Sequence, residues 1–120
     1  DFEGEIAVVI GKAAKNVRAE DALDVVQGIA PLNDVTARDL QRIDDQWGRA
    51  KGFDTFCPVG EMVHVSEVDL NNLSVITRVN GELRQQGHVQ DLVFSIPTLI
   101  EYISGIMTLE AGDLIATGTP

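Results

Sequence analysis

The chain has 120 residues, of which 44% are hydrophobic and 23% charged, and its formal net charge is -10. Such a length holds one domain with a buried core, such a composition is unlike that of a disordered chain, and the acidic balance excludes nucleic acid as a partner, because phosphate binding depends on Lys and Arg. Cys57, the single cysteine, forms no intramolecular disulfide, and no secretory signal is visible. The longest apolar run, Ile6 to Ile10, is far below the roughly 20 residues of a membrane span, so no membrane partner is expected and the cytoplasm is the expected compartment.

In chain order, Phe2 to Ile10 alternates and then runs apolar, which predicts a strand with a polar start and an end buried on both faces. Ala19 to Gln27 places Ala22, Leu23, Val25 and Val26 at helical spacing, with Gly28 as a left-handed stop. Ile29 to Leu32 predicts a short strand, with Pro31 marking it as an edge or distorted one. A capping-box pattern at Thr36 to Asp39 predicts a short helix starting at Thr36. Asp44 to Gly60 lacks a period and reads as ordered loop, within which Trp47 and Cys57 are expected to pack. Leu73 to Val79 and Glu82 to Gln86 flank Asn80-Gly81, a strong hairpin signal. Ser95 as N-cap, Pro97 in the first turn and an apolar stripe of Ile96, Leu99, Ile100 and Ile103 predict a helix to about Ser104. A last strand covers Leu114 to Thr117. Together these elements predict an α+β, mainly β domain with two or three short helices.

Glu3 and Glu5 are two apart on a predicted strand, so they share a face; spacing alone reads as a solvated pair of acids, whereas the buried stretch that follows, where uncompensated acids are costly, points to a cation between them. Asp34 ends the next strand, and locally it reads equally well as a turn residue. Three carboxylates would make an all-oxygen site for Mg²⁺ or Mn²⁺, with Ca²⁺ also admissible. Zinc is disfavoured, since one Cys and two distant His residues give no zinc spacing. His64 and His88 read as structural or exposed residues.

Five segments in order resemble motifs of the fumarylacetoacetate hydrolase family: Asp1 to Lys12, Asn33 to Gln41, Lys51 to Gly60, Val79 to Gln85, and Thr108 to Pro120 ending in Thr117-Gly118-Thr119-Pro120. The resemblance implies a mixed β-roll, a homodimer, and Glu3, Glu5 and Asp34 as ligands of Mg²⁺ or Mn²⁺. It also implies that Lys51 is a catalytic residue beside the bound substrate, and that Arg38, Gln41 and Thr119 hold the substrate's carboxylate and oxygens. A small oxo-carboxylic acid would then undergo C–C hydrolysis, decarboxylation or isomerisation through a metal-stabilised enolate. The motifs lean toward hydroxy-dienoic diacids from aromatic breakdown. In family hydrolases a His and Glu pair on an upstream segment activates water. Residues 1–120 are therefore expected to be a single catalytic-domain core, a fragment without that lid segment or the C-terminal strands. The alternative is a non-catalytic dimeric scaffold or binding module that keeps the fold without the activating pair.

Overall fold

The computed structural model describes residues 1–120. Its strands are β1 (Gly4–Ile10), β2 (Val26–Asn33), β3 (Val63–His64), β4 (Ser74–Val79), β5 (Glu82–His88) and β6 (Leu114–Ala116); its helices are α1 (Arg38–Ile43), α2 (Gly48–Lys51) and α3 (Ile96–Ile106). The fold is α+β and mainly β, as the sequence predicts. A four-stranded sheet runs in the order β3-β2-β1-β6, a two-stranded sheet is formed by β4 and β5, and every neighbouring pair is antiparallel. No helix is long and apolar enough to cross a membrane.

β1 organises the molecule. All seven of its residues are buried, because β2 and β6 pair with its two edges and both of its faces are covered. Val8 and Ile10 project toward α3 and form the main core with Val26, Ile96, Ile100 and Ile115. Ala7 projects from the other face, where Ala30 and Leu32 of β2 meet it. Period-two alternation puts Glu5 and Glu3 on this second face as well. The buried strand start with paired acids is thus a feature of the fold, and its electrostatics are set by what meets those acids.

The hairpin and the last helix follow their local signals. Asn80 and Gly81 both adopt positive φ, 52° and 85°, as a tight turn between β4 and β5 requires. Ser95 accepts a hydrogen bond from the Thr98 N–H and Pro97 lies in the first turn of α3, which continues slightly past the expected end.

Other local expectations are corrected. Ala19–Val25 is a 3-10 helix, and β2 starts directly at Val26; Gly28 lies inside that strand opposite Val9 rather than ending a helix. Pairing of Val26 with Ile10 has overridden the helical spacing. Pro31 is not on an outer strand, since β2 lies between β1 and β3. The Pro31 carbonyl accepts from the Gly60 N–H, and in a strand a residue's N and O point the same way, so the missing donor faces that loop and β1 loses no ladder bond. Thr36 does not cap α1. It is fully buried, its hydroxyl donates to the Asp34 carbonyl, and Ala37 stands at the N-cap. Trp47 and Cys57 are exposed rather than packed; Trp47 precedes α2, and Cys57 sits in a turn with φ 58°.

Candidate metal centre

Glu3, Glu5 and Asp34 converge, each offering a carboxylate oxygen within 4.8 Å of the others. The backbone explains the convergence. Asp34 follows directly on β2, its N–H donates to the Glu3 carbonyl at 2.9 Å, and the Glu3 N–H donates to the Asn33 side chain at 2.9 Å. These bonds hold the end of β2 against the start of β1, so the three side chains face one space.

Two cations meet them. Lys51, at the end of α2, places its ammonium 3.0 Å from Glu3 Oε2 and in direct contact with Asp34 Oδ2. Arg38, at the start of α1, reaches Glu3 Oε1 at 2.7 Å, Asp1 at 3.1 Å and the Gln41 side chain at 2.6 Å. The α1–α2 segment is tied to the same region by the Ala37 N–H, which donates to the Ala50 carbonyl, and by the amino group of Asp1, which donates to the Thr36 carbonyl at 2.7 Å.

Glu5 is different. It is only 4% exposed, yet its one hydrogen-bond donor is the Gly118 N–H at 2.9 Å. Gly118 has φ +89°, a conformation that L side chains avoid, and it turns that N–H toward the carboxylate. The protonation tendencies follow from these surroundings. Burial raises the Glu5 pKa, the Gly118 N–H partly offsets this, and the negative charges of Asp34 and Glu3 raise it further. Burial also works against ionised Glu3, but hydrogen bonds and charge from Lys51 and Arg38 prevail and hold its pKa below the usual value. Lys51 is disfavoured as a cation by burial, but Asp34 and Glu3 outweigh this and raise its pKa.

This donor set fits a hard divalent cation. It offers oxygen only, carries three formal negative charges, and includes one carboxylate that no side-chain cation neutralises. A groove of about 760 Å³ lies between the sheet and β4 and includes Glu5 in its wall. Glu3, Asp34 and Lys51 do not line it.

The remaining sequence-predicted residues fall on two sides. Arg38 and Gln41 adjoin Glu3 through α1. Thr119 lies on the β6 side, where its hydroxyl donates to the Gly4 carbonyl at 3.0 Å. His64 and His88 cap 3-10 turns, accepting from Ser66 and Gln90, and none of their hydrogen bonds reaches the carboxylates. Gln85 was assigned no role on sequence grounds, although its amide binds both Gly4 and Thr119. The only sequence signal for it is its position at the end of the hairpin motif.

The family model for the fumarylacetoacetate (FAA) hydrolase C-terminal domain matches residues 1–120. The chain belongs to the fumarylacetoacetate hydrolase family. It is 56% identical over 122 residues to the oxaloacetate tautomerase of Bacillus subtilis, covering all of this chain and 40% of that protein. It is 42% identical over 123 residues to the mitochondrial oxaloacetate decarboxylase of Dictyostelium discoideum, covering 98% of this chain and 56% of that protein. The solved structure of 2-hydroxyhepta-2,4-diene-1,7-dioate isomerase from Mycobacterium marinum superposes with a TM-score of 0.94 at 49% identity, over 99% of this chain and 47% of that one. The chain thus spans about half the length of these family members, and they include tautomerase, decarboxylase and isomerase enzymes.

Proposed function

We propose that this chain is the divalent-cation core of an enzyme acting on small 2-oxo or hydroxy-dienoic dicarboxylic acids, with Glu3, Glu5 and Asp34 as ligands of Mg²⁺ or Mn²⁺. The observation that carries this reading is the convergence of the three carboxylates with a lysine ammonium in their midst. Such an ion, when bound, supplies Lewis-acid polarisation of the carboxylate and keto oxygens of a 2-oxo acid.

The chain's own groups have distinct tasks. Lys51 stays protonated beside the acids, so its ammonium can stabilise negative charge that develops on the substrate's oxygen. Arg38 presents a guanidinium at the rim of the cluster, suited to a carboxylate, and Gln41 holds that guanidinium from the adjacent turn. The Thr119 hydroxyl offers a further polar contact. Gly118 fixes the buried Glu5 by its N–H and keeps the carboxylate directed at the shared space.

Relatives acting on oxaloacetate and on a dienedioate have a doubly acidic substrate in common, which supports the dicarboxylate class. Aromatic catabolism is the setting we favour within it. A homodimer belongs to the same reading, and sedimentation of the full-length protein tests it. Calorimetric titration with Mn²⁺ tests the core of the proposal, using Glu5→Gln and Asp34→Asn as controls. Saturable binding lost in both variants is expected, followed by turnover of a 2-oxo dicarboxylate by the full-length enzyme. A folded protein that binds no Mn²⁺ refutes the reading and leaves a scaffold role.

A further inference from the structure

We propose that Gln85 is a positioning residue of the carboxylate centre: its side-chain amide takes the place of a neighbouring strand beside Gly4 and thereby fixes how Glu3 and Glu5 project. The inference rests on the reading of those two glutamates as metal ligands.

The sheet leaves a specific need at this point. β6 pairs with β1 only from Ala7 to Val9, and beyond it the chain turns away at Gly118. The Ile6 carbonyl is still served, by the Thr117 N–H at 3.2 Å and hydroxyl at 2.8 Å. Gly4, two residues further, is buried and has no backbone partner on that side. A buried N–H left unpaired costs about 1–3 kcal/mol, so the strand start would not hold this path unaided.

Gln85 meets the need with one group. Its Oε1 accepts from the Gly4 N–H at 2.9 Å and its Nε2 donates to the Gly4 carbonyl at 3.0 Å. A primary amide carries donor and acceptor on one carbon, and here it exchanges both bonds with one residue as an antiparallel partner does. The orientation of the amide is also determined. Oε1 receives a second donor, Thr77 Oγ1 at 2.9 Å, and Nε2 has a second acceptor, Thr119 Oγ1 at 2.5 Å. The approach is close enough that a Cβ on Gly4 would lie 2.3 Å from Thr77 Oγ1 and 2.8 Å from Gln85 Oε1.

Gly4 is the residue between the two glutamates. A tilt of its peptide planes swings the Glu3 and Glu5 side chains relative to each other, and the clamp suppresses that tilt. A bond that only attached the hairpin to the sheet would affect stability and nothing else. The distinction is measurable in the full-length protein. Gln85→Met keeps the length and removes all these hydrogen bonds. Gln85→Asn keeps the amide but shortens its reach and serves if the first variant does not fold. Thr77→Val removes the other donor while leaving both hydrogen bonds between Gln85 and Gly4 in place.

Mn²⁺ affinity by calorimetry and the Mn²⁺ paramagnetic resonance spectrum are the readouts, with hydrogen exchange at Gly4 as a metal-independent one. For the Gln85 variants we expect affinity to fall about 10- to 100-fold, with an altered spectrum and faster Gly4 exchange. Thr77→Val should stay near wild type in affinity. A folded Gln85 variant with wild-type affinity and spectrum overturns the proposal, even if its melting temperature is lower. Absence of Mn²⁺ binding by the wild-type protein instead overturns the metal reading, and this inference with it.

Discussion

Replacing Glu5 by Gln should make the metal-free protein more stable while abolishing its cation binding. Glu5 is 4% exposed and has the oxygens of two other carboxylates within 4.8 Å. At that separation and an effective dielectric constant near 20, each like-charged neighbour opposes it by about 3.5 kcal/mol. Lys51 offsets part of this, since it sits against Glu3 and Asp34. At least about 1–2 kcal/mol then remains against the ionised Glu5 carboxylate, including its desolvation. The amide oxygen of Gln can still accept from Gly118, so the variant keeps the native hydrogen bond and loses only the charge. The pH dependence fixes the sign. Because the folded-state pKa of Glu5 is raised, the folded state binds more protons than the unfolded one between the two values, and wild-type stability falls as pH rises through that interval. The advantage of Glu5→Gln should therefore vanish below the unfolded-state value near 4.5 and reach its full size above the folded-state value. Urea unfolding of both proteins in chelator, at pH 3.5 to 8, measures it. Saturating Mn²⁺ should reverse the order by stabilising only the wild type. A variant no more stable than wild type at pH 8 in chelator would refute the reasoning.

Lys51→Met removes the ammonium shared by Glu3 and Asp34. It should cost the metal-free protein about 1–2 kcal/mol, discounted for partial exposure, a loss seen in chelator by urea unfolding and largely recovered when the repelling acids are protonated at low pH. Ser95→Ala deletes the acceptor for the Thr98 N–H at the start of α3 and should lower stability by about 1 kcal/mol with Mn²⁺ affinity unchanged. Gly81→Ala meets no neighbouring atom but must adopt φ +85°, so a loss of about 1 kcal/mol measured by thermal unfolding would isolate backbone strain in the hairpin turn.

What the sequence disclosed depended on how far its signals reach. The Asn80-Gly81 turn and the Ser95 cap act within four residues, and both are present where expected. Glu3 and Glu5 were legible as a pair because strand periodicity alone places them on one face. Asp34 could be set beside them as a third oxygen donor but read equally well as a turn residue, since the bond from its N–H to the Glu3 carbonyl spans the β1–β2 connection. The errors arose where another partner, distant or local, overrode the expected pattern. Val26 left its helical spacing to pair with Ile10, and the Thr36 hydroxyl went to the Asp34 carbonyl instead of a helix N-terminus. Gln85 was silent because its partner, Gly4, is 81 positions away, and nothing about an isolated glutamine on a strand reveals which peptide it will hold.

The span of these contacts has a consequence for how the centre comes into being. The Gly118 N–H that holds Glu5 is 113 positions away along the chain, and the Gln85 clamp on Gly4 spans 81 positions. Loops of that length close late, after local helices and turns have formed. The contacts that fix Glu5 and Gly4 are therefore expected to form late, and until they do the two groups are held only by the shorter β1–β2 pairing. On the proposed reading, a bound cation would stabilise only the state in which these long-range contacts have been made.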